Sequence, residues 1–182
     1  AWPSPWGWGR PGWHAECAAM ALTVQGPSVD VLVGGGDLAF PHHPYQAAMV
    51  EAAVGVAPFA RRALHVGVVH QHGSKMAKST GNLTLVEDLL AEHPPGAVRL
   101  FLLDRPWAEA WDYLAADLEG AAARLDRLFG AAGRRTNGDS DTAVAAVEER
   151  LLDDLDVPGA LAVAEEAGGA AARRATALLR LA

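Results

Sequence analysis

Two lysines, Lys75 and Lys78, sit in the stretch "HQHGSKMAKSTGNL", residues 70–83, with Gly73 and Gly81 on either side. A pair of ammonium groups on a glycine-flanked loop suits phosphoryl or adenylyl transfer, where charge grows on phosphate oxygens and is met by cations arriving as the loop closes. The same pattern describes a solvated basic turn between a strand and a helix. Upstream, Cys17 follows Trp13 and His14, and "FPHHPYQ" carries His42 and His43. A thiolate and an imidazole are two donors of a tetrahedral zinc, but such an ion holds three or four protein groups. A lone cysteine is otherwise a small buried filler. Between these residues, "VGGGDL" places three glycines before Asp37. Glycine lets a backbone approach a ligand closely, and the carboxylate could then meet a ribose hydroxyl or an amine. By itself the fragment is a flexible turn.

These residues need elements to position them. "WHAECAAMALTVQG" has apolar residues at helical spacing and stops at Gly26, while "VDVLV" is a short β-branched strand ended by glycines. "PYQAAMVEAAVG" predicts a helix opening at Pro44 and closing at Gly55, followed by a second buried strand, "ALHVGVV". Helices alternating with continuous apolar strands predict a parallel α/β sheet. His42 and His43 then fall where the carboxyl end of a strand meets the next helix, the ligand-binding edge of an open α/β sheet. Beyond Leu83 the periodicity is helical throughout, in "LTLVEDLLAEH", "PPGAVRLFLLD" and "WDYLAADLEGAAARLDRLFG". The polar stretch "RRTNGDSDT", residues 134–142, reads as a linker before a final helical pair. The expected organisation is α/β over residues 1–83 and all-α over residues 84–182.

A chain of 182 residues that is 51% hydrophobic and 20% charged can bury a core, which excludes bulk disorder. Its formal net charge of -7 gives no general basic footprint for nucleic acid. One cysteine makes no internal disulfide and no apolar run approaches a membrane span, so a reducing, cytoplasmic setting is expected. The opening "AWPSPWGWGRPGW" has no signal-peptide layout and no initiator Met, and reads as the interior of a longer chain.

Taken together and in order, "GRPGWHAEC", "GGGDLAFPHH", "LHVGVV" and "KMAKSTGNL" resemble the C-terminal half of the catalytic domain of cysteinyl-tRNA synthetases and of their relative, the mycothiol-pathway cysteine ligase. The resemblance runs from about Pro3 to Asp104 and continues weakly in "LLDDLDVPGALA". It implies half of a Rossmann-type class I synthetase domain followed by a helical domain. It also implies that ATP and L-cysteine form cysteinyl-adenylate, with Lys75 and Lys78 acting on the triphosphate. Trp13, Gly35, Gly36, Asp37 and Val69, together with Lys78, match positions lining the adenylate pocket. Cys17 and His42 match zinc ligands, and the zinc of this family selects cysteine through its thiolate. The chain departs from the synthetases at Ala77, which replaces the signature serine, at Gln46, which replaces a glutamate zinc ligand, and in "LVGGGD". The last two departures point to the mycothiol ligase and an amino-sugar acceptor, with tRNA as the alternative acceptor. The family's "HIGH"-type motif and its remaining zinc cysteine lie upstream of the matched region, so an N-terminal half is an expected partner. A split subunit or non-catalytic remnant with an interaction role is the alternative from another class.

Overall fold

The computed structural model describes residues 1–182, which divide into two compact units, Ala1–Val68 and Val69–Ala182. The first opens with a short antiparallel hairpin of β1 (Trp2–Ser4) and β2 (Gly7–Gly9). Helix α1 (Trp13–Gln25) follows and ends at Gly26. Strand β3 (Val29–Gly35) runs into one 3-10 turn, Gly36–Leu38, and then into α2 (His42–Val54), which Gly55 terminates in the left-handed conformation. Strand β4 (Ala60–Val66) returns parallel to β3, from Val29 opposite Ala60 to Gly35 opposite Val66. This is the strand, helix, strand unit that the apolar pattern predicts.

Ala18 of α1, Val50 of α2 and Phe59 form the core of this unit, with Leu22, Val29 and Leu32 packed against them. Glu51 fastens α2 to the start of β4 by accepting the Phe59 N–H at 2.8 Å. On β3 the alternation leaves Val31 and Val33 exposed, at 48% and 58%. The sheet therefore has one covered face and one bare one.

The second unit begins with β5 (Val69–Gln71) and β6 (Ser74–Lys75), an antiparallel hairpin. Its turn residues, His72 at φ 53° and Gly73 at φ 73°, are both left-handed, as a two-residue turn matching strand twist demands. Strand β7 (Trp111–Asp112) joins the other side of β5 in parallel. The remainder is helical: α3 (Val86–Glu92), α4 (Pro95–Leu103), α5 (Ala115–Gly133), α6 (Ser140–Leu152), α7 (Val157–Ala167) and α8 (Gly169–Leu178). Leu100, Leu125, Leu128, Val147, Leu161 and Leu181 anchor one buried cluster. Val98, Phe101, Leu118 and Ala121 form a second, with Trp111 and Tyr113 against it.

Several elements differ from expectation. Helix α2 starts at His42, two residues before Pro44, because a proline within the first turn removes only an N–H that has no helical partner there. "ALHVGVV" divides into β4 and β5, which lie in different sheets. Pairing of β5 with β7 places Val69 and the lysine loop in the second compact unit, which begins at Val69. The polar stretch 134–142 is irregular only to Asp139, whose carboxylate accepts the Thr142 N–H and caps α6. The last predicted helix breaks at Gly168 into α7 and α8. No helix is long and apolar enough to cross a membrane.

Candidate functional site

The chemistry-bearing residues of the first unit gather where β3 ends. Trp13, His14 and Cys17 occupy the first turns of α1; His42, His43 and Gln46 occupy those of α2. Trp13 stacks on His42 with centroids 4.2 Å apart, and Nδ1 of His14 lies 2.7 Å from Nδ1 of His42. A second pair joins Nδ1 of His43 to Nε2 of His65, on β4, at 2.9 Å. Each contact needs one ring to donate and the other to accept, so neither pair can carry two protons on the facing nitrogens. Burial pushes the pKa of His42 down, and His14 adds to the shift. Burial also lowers that of His43, with His65 and then His42 contributing. Both shifts favour the neutral imidazole.

Gly34 makes room for this cluster. A Cβ there would stand 2.6 Å from Cε1 of His43, so a larger residue would drive the imidazole off the strand. One residue on, the Asp37 carboxylate folds back over the strand end, with Oδ1 2.6 Å from where a Cβ on Gly35 would be. Gln46 lies one helical turn after His42 and is buried, while Cys17 is partly exposed.

A thiol and a neutral imidazole have the donor chemistry zinc takes, but no group of three or more His, Cys, Asp or Glu side chains is arranged to hold an ion. His42 already engages His14 through Nδ1.

In the second unit the lysine loop leaves β6 and is folded back on itself. Met76 N–H donates to the Val69 carbonyl at 2.8 Å, extending the hairpin ladder. Ala77 is extended, and Lys78–Thr80 forms one 3-10 turn closed by left-handed Gly81. Asn82 reaches back into the loop, accepting the Ala77 N–H at 2.9 Å and donating to the Lys75 carbonyl at 3.1 Å.

The predicted residues therefore fall into two groups. Trp13, Cys17, Gly35, Gly36, Asp37 and His42 belong to the first unit; Val69, Lys75 and Lys78 belong to the second. Trp13 and His42 are in direct contact, and Val69 is tied to the lysine loop through Met76. Reading by motif missed His14 and His65. The available signals were a histidine one turn before Cys17 and a lone polar residue inside the apolar run "ALHV". Their partners lie 28 and 22 residues away, which no local pattern reveals. Asn82 lies inside the lysine loop, where motif reading assigns it no role.

Comparison with known proteins bears on both units. Residues 1–123 match the family described as tRNA synthetases class I (C) catalytic domain. An L-cysteine:1D-myo-inositol 2-amino-2-deoxy-alpha-D-glucopyranoside ligase of Parafrankia sp. (strain EAN1pec) is 48% identical over 172 residues, 94% of this chain and 39% of that protein. A cysteine–tRNA ligase of Xanthomonas campestris pv. campestris is 49% identical over 172 residues, 93% of this chain and 37% of that protein. Among solved structures, the LeuRS of Agrobacterium radiobacter K84, in a ternary complex with tRNA and LeuAMS, aligns with a TM-score of 0.60 at 16% identity, over 84% of this chain and 26% of that one. At that identity the likeness is one of fold. The chain spans about two fifths of the length of the curated relatives it matches.

Proposed function

From the membership of this chain in the tRNA synthetases class I (C) catalytic domain family, to which it belongs, we propose that it forms part of an ATP-dependent ligase activating L-cysteine for transfer to the amine of a glucosaminyl inositol. In the first half-reaction a cysteine carboxylate oxygen bonds to the α-phosphorus of ATP and pyrophosphate leaves. In the second, the acceptor amine attacks the acyl carbon, AMP departs and an amide forms. Charge accumulates on the triphosphate oxygens in the first step, and Lys75 and Lys78 are the groups that meet it. Trp13, Gly35, Gly36, Asp37 and Val69 are assigned to the adenylate, with Asp37 offering a carboxylate to a hydroxyl or amine.

The observation carrying the choice of acceptor is Gln46, a buried neutral amide one turn after His42 where the synthetases place a carboxylate ligand. The acidic balance agrees, since tRNA contact calls for clustered cations. Transfer to tRNA is the second reading, favoured by the 49% identity to a cysteine–tRNA ligase. Zinc, when bound, would supply a soft partner for the cysteine thiolate, and Cys17 and His42 would contribute two donors to it. The bare face of the β3–β4 sheet, with Val31 and Val33, is where the catalytic half carried by the relatives would pack.

The test is cysteine-dependent exchange of pyrophosphate into ATP by this chain combined with that half, then product formation with amino sugar or with tRNA. Exchange without any acceptor and turnover with the amino sugar are expected. Lys78→Ala should slow adenylate formation about 100-fold or more, against about tenfold at most for Ala77→Ser, because a charged contact outweighs a neutral hydroxyl bond. Turnover with tRNA alone would establish the second reading, and equal rates for parent and Lys78→Ala would remove the loop from the chemistry.

A further inference from the structure

We infer that Asn82 is a positioning residue, the latch that shapes the backbone carrying Lys75 and Lys78. Its amide makes two bonds to the loop, and they require opposite faces of the group: Oδ1 accepts from the Ala77 N–H at 2.9 Å, and Nδ2 donates to the Lys75 carbonyl at 3.1 Å. The partners fix which atom is which, since an N–H needs an acceptor and a carbonyl needs a donor. A carboxylate offers only acceptors and an ammonium only donors, whereas the amide offers one of each from a single planar group.

Thr80 supports the latch from inside the turn. Its hydroxyl lies 2.8 Å from the Ala77 carbonyl and 2.5 Å from Asn82 Oδ1, and its single proton serves one of them at a time. Asn82 is only partly buried, so exchange with water competes for its bonds and each contributes modestly. Their effect is geometric. They hold Ala77 extended between two lysines, with the 3-10 turn placing Lys78 immediately after it.

This arrangement also leaves the loop's backbone independent of the side chain at Ala77. The latch grips position 77 through its backbone N–H, not through its side chain, so a missing hydroxyl there leaves the loop's shape intact. The role of the latch in adenylate formation rests on the function proposed above; the latch itself does not.

Amide hydrogen exchange on the 182-residue chain separates the two claims. Asn82→Ala should speed exchange of the Ala77 amide about tenfold, while Met76, bonded to the Val69 carbonyl, keeps the parent rate. Asn82→Asp keeps an acceptor for Ala77 but loses the donor to Lys75, so Ala77 should remain protected. An unchanged Ala77 rate in Asn82→Ala overturns the latch, as does equal acceleration at Met76, which would signal general loosening. In the assembled enzyme, Asn82→Ala and Asn82→Asp should both lower the adenylation rate about tenfold with the KM for cysteine unchanged. A parallel rise in that KM would overturn the positioning role. A parent with no pyrophosphate exchange would sink the proposed function and leave the amide result to decide the latch.

Discussion

His42 and His43 make the protonation state of the first unit a matter of packing. Both imidazoles are buried, and both have a pKa pushed below the ordinary 6.5, first by burial and then by neighbouring histidines. Above pH 6.5 these rings are neutral folded or unfolded, and their burial carries no protonation cost. Below it the unfolded chain takes up protons that the folded chain refuses. Stability of the first unit should therefore fall as pH drops from 6.5 through the lowered folded values. Thermal melting of the unit, followed by amide signals of β3 and β4 between about pH 7.5 and about pH 5, checks this. The slope should flatten when both histidines are replaced by glutamine, and a midpoint that rises on acidification would refute the account.

At the level of elements, β7 is the piece that joins the helical region to the lysine hairpin. It is two residues long, and beside its pairing with β5 it is packed against by the side chain of Arg105. The guanidinium sits over the Trp111 ring at 3.5 Å from the centroid, and its Nε donates to the Phe101 carbonyl at 3.2 Å. Phe101 in turn meets Trp111 edge to face at 5.3 Å. Trp111 pairs with Val69, and Val69 accepts the Met76 N–H, so the stack reaches the root of the loop through backbone bonds. Arg105→Ala removes a cation–π contact worth about 0.5–2 kcal/mol and charged hydrogen bonds of similar size. Urea unfolding followed by helical circular dichroism should show a loss of about 2–3 kcal/mol, with Arg105→Lys recovering only part because lysine is a point charge without a planar face. An unchanged midpoint for Arg105→Ala would mean β7 is held by something else.

For the whole molecule the two units differ in how much apolar surface they bury. The helical unit closes around Leu100, Leu125, Leu128, Val147, Leu161 and Leu181, whereas the first unit centres on Ala18, Val50 and Phe59 and leaves one sheet face bare. Unfolding in denaturant should accordingly occur in two steps. Amides of β3 and β4 should exchange through a lower-energy opening than those of α5, α7 and α8. With the packing proposed above, addition of the part of the relatives that this chain does not span should raise protection in β3 and β4 selectively, since a ligand of the folded form stabilises it. One coincident transition for all these amides would show that the chain behaves as a single cooperative unit.

What could be read without coordinates was whatever the chain encodes locally. Apolar periodicity with glycine stops placed α1, β3 and α2 to within a few residues, and four ordered motifs sufficed to identify the family. Residue types at fixed spacing marked Lys75, Lys78, Cys17, His42 and Asp37 as candidates. Long-range pairing was beyond such a reading. That "ALHVGVV" belongs to two sheets, that "WD" at 111–112 is a strand beside β5, and that His14 and His65 face His42 and His43 all depend on which segments meet. Register and side-chain contact are set by packing between residues 13 to 42 positions apart or more, and a period of 2 or 3.6 carries no information about that partner. Asn82 lies within the motif itself, yet its role appeared only once the 3-10 turn had folded its amide back onto Ala77 and Lys75, because a backbone partner has no residue type to read.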